Sequence, residues 1–357
     1  MMARALEIAR RGEGRVHPNP MVGAVLAKNG RILSEGAHER FGGPHAEVNA
    51  LRQFKKVPAG STLYLTLEPC DHFGKTPPCS EAIVQSGLRR VVVAMKDPNS
   101  IVAGRGLKKL KKHGVRVTLG VLEKEARLLN RHYAHWIKRK RPYVTVKTGQ
   151  SLDGKIATRT GESKWITGEP ARQRSHQLRR EADAVLIGVN TVLNDDPLLS
   201  VRLRGKNPQP LKVVLDASLQ TPLDAALFSK ASSGKTLLFT SKHAAARRGK
   251  HFAGKADVVE VVEKKPGRLD WDAVLRELGI RGVTNLLVEG GGEVIGSLFS
   301  EGRVQEVFFF TAPLVIGGRN AVGSVGGQGA ASLQQAARFK FWETERLGED
   351  FLFHGIL

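Results

Sequence analysis

The sequence predicts an α/β protein built from two domains. Stretches typical of strands alternate with stretches typical of helices, and this alternation predicts helices layered on sheets. The length of 357 residues suits two domains of ordinary size, and a hydrophobic content of 41% can supply a sizeable core. A basic stretch, Lys138 to Arg141, precedes Pro142 and marks the boundary. The predicted domains are therefore residues 1–141 and 142–357.

The first domain opens with a short helix over residues 1–10, followed by a hairpin. The turn of this hairpin is Asn29-Gly30, a dipeptide that favours two-residue hairpin turns. Apolar periodicity, alternation and glycine or proline breaks predict the elements that follow. Strands are predicted at 22–27, 31–35, 61–67, 91–95 and 115–119, and helices at 46–54, 77–87, 106–113 and 123–138.

The second domain shows the same alternation. Residues 190–197 form a polar turn that ends in the paired carboxylates Asp195 and Asp196. Strands are predicted at 143–147, 184–189, 211–215, 236–240, 257–262, 285–288, 307–310 and 351–353, and helices at 170–182, 269–278 and 293–299.

A glycine triplet, Gly290 to Gly292, separates the strand at 285–288 from the next helix. A strand, a glycine-rich turn and a helix N-terminus can bind a phosphate through backbone N–H groups and the helix dipole. A tight strand-to-helix turn can also need glycine for steric reasons alone. The triplet by itself leaves both interpretations open.

The chain is strongly basic, with a net charge of +22 and a pI near 10.3, which raises the question of nucleic-acid binding. The positive residues are spread along the chain, and aromatic residues make up only 6%, so platforms for base stacking would be sparse. A basic surface also suits phosphorylated small substrates. We therefore expect no nucleic-acid partner.

Membrane insertion and secretion are not expected either. No run approaches the ~18 consecutive apolar residues of a membrane helix. The N-terminus lacks the apolar block of a signal peptide, and two cysteines do not make a disulfide framework. We therefore expect a reducing cytoplasm as the location.

Both cysteines lie in a stretch that is typical of a catalytic zinc site. One histidine and two cysteines, His45, Cys70 and Cys79, suit tetrahedral zinc and leave a fourth position for water. Bound zinc lowers the pKa of this water towards ~7, and a carboxylate must then carry protons. Glu47 stands two residues after His45, and His-x-Glu followed by Pro-Cys is typical of zinc nucleobase deaminases.

The predicted local structure supports this interpretation. Gly42-Gly43-Pro44 precedes His45, so His45 and Glu47 are expected in a first helical turn. Cys70 follows a strand, and Cys79 is expected in the first turn of a helix, whose dipole favours a thiolate. A lone His-x-Glu motif is common and would not by itself indicate a site. Two cysteines in a cytosolic chain are usually inert buried residues. The ordered combination is much rarer, and we interpret it as zinc catalysis.

Asn19 is a candidate for binding a heterocycle. It lies in His17-Pro18-Asn19-Pro20, where two prolines stiffen the backbone around its amide. A carboxamide offers a donor and an acceptor to the edge of a base. An ordinary turn is the alternative interpretation.

In combination, these motifs resemble the bifunctional deaminase-reductases of riboflavin biosynthesis over essentially the whole chain. The eight-residue gap between the cysteines differs from the Cys-x-x-Cys usual in RNA and cytidine deaminases. The resemblance implies a cytidine-deaminase-like three-layer α/β/α domain followed by a dihydrofolate-reductase-like α/β domain. The matching stretches are His17-Pro18-Asn19-Pro20, His45-Ala46-Glu47, Glu68-Pro69-Cys70, Thr76-Pro77-Pro78-Cys79, Ser151-Leu152-Asp153-Gly154, Ser163 to Thr167, Thr191 to Pro197 and Glu289-Gly290-Gly291.

The resemblance implies two successive reactions. The first is zinc-dependent hydrolytic deamination of 2,5-diamino-6-(5-phosphoribosylamino)pyrimidin-4-one. The second is NADPH-dependent reduction of the ribosyl group to ribityl. One Zn²⁺ per chain would be held by His45, Cys70 and Cys79, with Glu47 as the proton shuttle.

The resemblance also assigns residues of the second domain. Lys147 and Asp195 are expected near the reacting ribose, and an arginine such as Arg179 suits a phosphate through its bidentate fork. Without the resemblance, a helix-surface arginine and a core indole would be favoured for Arg179 and Trp165. The expected cofactor contacts are Gly149, Trp165, Thr191, Asp195, Gly291, Gly292, Glu293, Val294, Ile295, Gly296 and Ser297. The expected substrate contacts are Asn19, Ser163, Arg179, Leu199, Arg202 and Glu289.

Two other functions are weighed against this one. An RNA-editing deaminase would use the basic surface, but it needs neither the long Cys70–Cys79 gap nor a second α/β domain. A zinc-stabilised binding module needs no unligated carboxylate at Glu47. The expected partners are a phosphorylated pyrimidine substrate and further copies of the chain in a dimer or tetramer.

Overall fold

The computed structural model describes residues 1–72, 77–229 and 231–357. They form two compact units, Met1–Arg141 and Pro142–Leu357. Thr76, part of the Thr-Pro-Pro-Cys motif, lies outside the described residues. Among the described helices, none has the length and apolar character needed to cross a membrane.

The first unit is a sheet covered by helices on both faces. The strand order is β2-β1-β3-β4-β5, with β1 antiparallel to its neighbours and β3, β4 and β5 parallel. Apolar residues of α2, α3 and α4 pack on one face of the sheet, and those of α1 and α5 pack on the other. This confirms the three-layer α/β/α prediction. The strands are β1 (Gly23–Lys28), β2 (Arg31–Ala37), β3 (Thr62–Leu67), β4 (Arg90–Met95) and β5 (Arg116–Leu119), and the helices are α1 (Met2–Ala9), α2 (Ala46–Leu51), α3 (Cys79–Gln85), α4 (Arg105–Lys112), α5 (Glu123–Leu129) and α6 (Arg131–Arg139).

The prediction of one long helix over 123–138 is wrong, because the chain breaks at Asn130. Its backbone leaves the helical region, with φ −104° and ψ 22°. Its buried side chain accepts a hydrogen bond from Met21 N at 2.9 Å and donates one to Met21 O at 2.9 Å. The break thus ties the helices to the segment that carries Asn19.

The second unit is built on a larger sheet of order β11-β10-β9-β8-β14-β6-β15-β18-β17. In this spatial order, the first seven strands, from β11 across the sheet to β15, are parallel to one another. Strands β18 and β17 add an antiparallel edge. Helices α10 and α11 pack on one face, and α7, α8 and α9 pack on the other. The strands are β6 (Tyr143–Ser151), β7 (Lys155–Ala157), β8 (Ala184–Gly188), β9 (Leu211–Leu215), β10 (Thr236–Thr240), β11 (Asp257–Glu260), β12 (Glu263–Lys265), β13 (Arg268–Leu269), β14 (Asn285–Val288), β15 (Glu306–Ala312), β16 (Val322–Gly323), β17 (Phe341–Leu347) and β18 (Asp350–Ile356), and the helices are α7 (Glu169–Glu181), α8 (Val189–Asp195), α9 (Lys242–Arg248), α10 (Trp271–Ile280) and α11 (Gly292–Ser300).

The predicted polar turn at 190–197 is largely helix α8. Val192 is buried in the apolar cluster on this face of the sheet, and its burial holds a short polar segment in helical form. The helix ends at Asp195, and the next residue, Asp196, adopts a left-handed conformation with φ 42°. Asp195 therefore belongs to the last turn of a helix.

The topology brings three polar segments to one edge of the larger sheet. Lys147 lies on β6, α8 follows β8, and Glu289 follows β14, and these three strands are neighbours in parallel. Because carboxyl ends of parallel strands meet at one edge, ligands of open α/β sheets bind there.

Candidate functional site

The first unit brings His45, Cys70 and Cys79 together. Their potential ligand atoms all lie within 4.8 Å of one another. His45 Nδ1 is 3.2 Å from Cys79 Sγ and 3.6 Å from Cys70 Sγ. Tetrahedral zinc, with bonds of about 2.0–2.3 Å, places nitrogen and sulfur ligands about 3.5 Å apart. The three side chains therefore fit zinc with little rearrangement.

Each ligand is placed by a local feature of the chain. His45 is extended and caps the N-terminus of α2, instead of lying in its first turn as predicted. Helix α2 packs directly on β2, where a Cβ on Gly36 would overlap the Ala46 carbonyl oxygen. Cys79 is the first residue of α3, which begins two residues later than predicted, and it lies in the first turn as expected. Its N–H points at Cys70 Sγ at 3.4 Å.

The protonation of the cysteines matches a metal site. Hydrogen bonds from Cys79 and His45 outweigh burial and lower the pKa of the Cys70 thiol to about 4. The same hydrogen bond and burial raise the pKa of the Cys79 thiol. The pair thus shares one proton, and metal binding to such thiols displaces it.

Glu47 is the acid of this cluster. Its side chain lies inside the protein, with the residue 3% exposed, and it contacts the Cys79 thiol. Burial, followed by the charge of Cys70, raises the pKa of Glu47 to about 7. A carboxyl group with a pKa near neutrality can both accept and donate a proton at physiological pH.

His38 is a site residue that the sequence reasoning missed. It is 2% exposed, and its ring lies edge-on to His45 with centroids 5.2 Å apart. His38 Nδ1 is 3.1 Å from Pro44 O, which can only accept, so Nδ1 carries the hydrogen. Nε2 then accepts from the Asn19 amide at 3.2 Å. His38 thus connects Asn19 to the candidate ligand His45, and no recognised motif in the sequence marked His38.

The second unit contains a cavity of about 2230 Å³. Of the contacts expected in the second unit, all but Gly296 line this cavity. A Cβ on Gly296 would overlap the Gly326 carbonyl oxygen, so this glycine allows close packing of the two segments. The other expected contacts on its wall are Lys147, Gly149, Ser163, Trp165, Arg179, Thr191, Asp195, Leu199, Arg202, Glu289, Gly291, Gly292, Glu293, Val294, Ile295 and Ser297.

Lys147, Arg179 and Glu289 form a charged triad in this cavity, with side chains that are 17%, 14% and 5% exposed. Arg179 donates from Nε to Glu289 Oε1 at 2.6 Å and from Nη2 to Glu289 Oε2 at 2.9 Å. Lys147 Nζ approaches the same carboxylate at 3.5 Å. Burial alone would raise the pKa of Glu289, but the two cations lower it to about 2. The fork of Arg179, expected on a phosphate, is occupied by Glu289.

The glycine triplet has the steric role at two of its three positions. A Cβ on Gly290 would lie 2.7 Å from Ile187 Cα, and one on Gly292 would overlap the Gly323 carbonyl oxygen. These two glycines are sterically required. Gly291 has room, and its N–H donates to Thr191 Oγ1 at 3.3 Å. The turn therefore fixes Thr191 of α8 against the N-terminus of α11.

Other expected residues are already engaged with protein groups. Ser163 Oγ donates to Asp195 Oδ1 at 3.0 Å. Ser297 Oγ accepts from Trp271 Nε1 at 2.9 Å and donates to Val294 O at 2.8 Å. Trp271 also lines the cavity, which the sequence analysis did not predict. The only signal in the sequence was its indole N–H, which needs a hydrogen-bond acceptor when it is buried.

Trp165 is not the core indole considered as an alternative. It is 68% exposed and lines the cavity, with the Arg172 guanidinium 4.8 Å from its ring centroid. An exposed indole beside a cavity can cover a planar ring or a ribose.

Known proteins are similar to this chain over its whole length. The riboflavin biosynthesis protein RibD of Actinobacillus pleuropneumoniae is 42% identical, covering 98% of this chain and 93% of that protein. RibD of Aquifex aeolicus is 43% identical, covering 98% and 96%. The crystal structure of a diaminohydroxyphosphoribosylaminopyrimidine deaminase/5-amino-6-(5-phosphoribosylamino)uracil reductase from Thermotoga maritima superimposes with a TM-score of 0.88, 36% identity, and coverage of 99% and 97%.

Family models match both units. The cytidine and deoxycytidylate deaminase zinc-binding region matches residues 1–95, and the RibD C-terminal domain matches residues 142–353. With the geometry above, these matches define a zinc-dependent deaminase joined to an NADPH-dependent reductase. The chain belongs to the RibD family of riboflavin biosynthesis proteins.

Proposed function

We propose that this chain deaminates 2,5-diamino-6-(5-phosphoribosylamino)pyrimidin-4-one and then reduces the ribosyl group of the product with NADPH. The observation that carries the proposal is the buried Glu47 beside three zinc ligands, in a chain with a separate reductase cavity. We assign the deaminase to residues 1–141 and the reductase to residues 142–357.

In the deaminase, His45, Cys70 and Cys79 would hold zinc, which supplies hydroxide at neutral pH. Glu47 takes a proton from the attacking water and delivers it to the departing amino group. Asn19, oriented by His38, hydrogen-bonds the edge of the pyrimidinone. The burial of Glu47 keeps bulk water from competing for the proton.

In the reductase, NADPH supplies the hydride and the chain positions the ribose. Lys147 lies against Glu289 in the cavity, so its ammonium is held where it can polarise a ribosyl oxygen. Asp195, held by Ser163, faces the same cavity from α8. The N-terminal turn of α11, with Gly291 to Ile295, lines the cavity and is offered to the cofactor phosphates.

We further propose a cytoplasmic homo-oligomer, either a dimer or a tetramer. Zinc ligation needs both cysteines as thiolates, which favours a reducing compartment. The edge strand β17 exposes Phe341 and Trp342, and such an edge favours pairing with another chain. Light scattering on the purified protein would give the mass of the assembly.

The decisive experiment supplies the diaminopyrimidinone phosphate with and without NADPH and follows ammonia release and product mass. We expect deamination alone without NADPH, and a further gain of two hydrogens with it. NADH should support the second step less well. A protein that turns over neither the substrate nor its deaminated product would contradict the proposal.

Two variants test the assignment of the activities to the two units. Cys70→Ser should abolish deamination and leave reduction of the deaminated substrate largely intact. Asp195→Ala should impair reduction while ammonia release continues. Each change removes a group that acts locally, at a site with its own substrate pocket. If a folded Cys70→Ser protein lost both activities equally, the two-site assignment would be wrong.

A further inference from the structure

The two cysteine segments are joined by side chains that are not zinc ligands. Asp71 follows Cys70, and Ser80 follows Cys79. Ser80 Oγ donates to Asp71 Oδ1 at 2.6 Å, and Ser80 N donates to Cys70 O at 3.1 Å. The residue next to each cysteine is therefore bonded to the opposite segment.

A cation completes this connection from a third element. Lys109 Nζ, on α4, lies 3.0 Å from Asp71 Oδ1 and 2.7 Å from Glu81 Oε2. Lys109 thus bridges the carboxylate beside Cys70 and a carboxylate in the first turn of α3. We call Asp71, Ser80, Glu81 and Lys109 the thiol clamp.

Helix α4 is itself fixed to the segment that carries Cys70. The buried Glu68 carboxylate accepts hydrogen bonds from Gly104 N at 3.0 Å and Leu107 N at 3.4 Å. At Gly106 a Cβ would overlap the Pro69 carbonyl oxygen, so the helix rests directly on the residue before Cys70. These contacts fix the position of α4, and therefore of the Lys109 backbone, relative to the segment that carries Asp71.

We propose that Asp71 is a positioning residue, which acts through Ser80 and Lys109 to hold Cys70 and Cys79 at zinc-ligand distance and so slows loss of the metal. The inference rests on zinc binding by His45, Cys70 and Cys79. Partners outside the ligand set orient ligands, and their removal typically costs metal affinity. The charge-assisted bond from Ser80 and the bridging ammonium resist separation of the two thiols.

An ordinary surface ion pair is the competing explanation, because most such pairs contribute little to stability. The chain offers a matched control in the same unit. Glu35 accepts from Arg4 Nε at 2.7 Å, and its side chain is 22% exposed, against 23% for Asp71. Glu35→Ala therefore removes a paired carboxylate of nearly equal exposure whose partners, Arg4 on α1 and Arg11, do not belong to the cysteine segments.

The test measures the rate of zinc release into excess chelator for the zinc-loaded full-length protein. We expect Asp71→Ala to release zinc about 10–100-fold faster than the parent, the range typical for loss of such partners. Lys109→Met should act in the same direction with a smaller effect. Asp71→Asn, which keeps an acceptor for Ser80, should restore part of the retention. Glu35→Ala should release zinc at the parental rate.

The spectrum of the cobalt-loaded protein and the control variant separate positioning from general stability. The visible spectrum of the cobalt-loaded protein should change in Asp71→Ala and remain parental in Glu35→Ala, because it reports the ligand geometry. Parental zinc release by both Asp71→Ala and Lys109→Met would overturn the proposal. Equal acceleration by Asp71→Ala and Glu35→Ala would also overturn it, since general destabilisation would then be the cause. A parent that binds no zinc would instead refute the proposed deaminase.

Discussion

The zinc-ligand cluster of the first unit and the charged triad of the second unit are assembled over very different distances along the chain. The ligands lie between residues 45 and 79. In the triad, Glu289 is 142 positions from Lys147 and 110 positions from Arg179. The first site is set by turns, caps and two short helices, whereas the second exists only after β6, α7 and β14 have come together.

The two sites also differ in how their charges are balanced. In the first site we expect two thiolates to neutralise a zinc ion, and we assign the proton transfers to the carboxylate of Glu47. In the triad two cations share one carboxylate, so Glu289 is both a structural counter-ion and part of the cavity wall. Removal of a group should therefore cost mainly chemistry in the first site, and both stability and chemistry in the second.

The largest effect is expected for Glu47→Gln. The amide keeps the shape of the side chain but cannot carry a proton, and loss of general acid–base catalysis typically costs ~10²–10⁴-fold in rate. Ammonia release should fall by this factor, while zinc content and reduction of the deaminated substrate stay parental. Elemental analysis and the two separate assays measure these quantities. Near-normal deamination would show that another group carries the proton.

A smaller effect on rate, but a larger one on stability, is expected for Glu289→Gln. Breaking a buried pair by removing one partner typically costs about 3–5 kcal/mol, because the remaining charges are left uncompensated. Lys147 would also lose its fixed position, so reduction should slow while ammonia release continues. Urea unfolding and both assays test this expectation.

The control for Glu289→Gln is Glu277→Gln, which removes the carboxylate that pairs with Arg281 on a half-exposed surface. Surface pairs of this kind contribute about 0–1 kcal/mol. If the two variants unfold at the same urea concentration, the triad does not stabilise the second unit, and the contrast between the two sites is lost.

The same contrast explains what the sequence could predict. The zinc ligands and Glu47 were recognisable because their spacing is local and their chemistry is specific. The partner of Arg179 was not, because nothing near Arg179 in the sequence points to Glu289. His38 and Asp71 were missed for a related reason: each acts through a neighbour, and neither belongs to a recognised motif.

The fold shows a similar division. Apolar runs and alternation located the five strands of the first sheet and eight of the nine strands of the second to within a few residues, because the burial of a strand shows in its local sequence pattern. Strand β17 was missed, because its residues are almost all exposed and show no such pattern. The break at Asn130 depends on Met21, which is 109 positions away. The helical state of α8 depends on the burial of Val192 against the sheet. The errors at Asn130 and at α8 arose where a distant contact decided the local conformation.

A second group of charged side chains in the second unit, His354 with Glu306 and Glu343, extends the comparison to pH. His354 on β18 donates from Nε2 to Glu306 at 2.7 Å and from Nδ1 to Glu343 at 2.9 Å, on the two flanking strands. Two carboxylate acceptors require hydrogens on both ring nitrogens. The ring stacks on Phe308, with centroids 4.4 Å apart, and the Arg174 guanidinium lies 5.7 Å from the Phe308 ring.

The smallest effect is expected for His354→Gln, and it should depend on pH. Burial lowers the pKa of His354, but the hydrogen bonds to Glu306 and Glu343 outweigh it, so the folded pKa is raised. A raised pKa stabilises the fold fully below the unfolded value of about 6.5, and this contribution is lost as pH rises through the folded pKa. Hydrogen bonds to charged groups contribute about 1.5–3 kcal/mol, and we expect the lower end because Glu343 is exposed.

The difference in unfolding free energy between parent and His354→Gln should therefore be largest near pH 5 and shrink towards pH 9. The exposed His251→Gln serves as the control. A difference that grew with pH would mean that the histidine is neutral in the folded protein, and the second unit would then depend less on buried charge than the triad indicates.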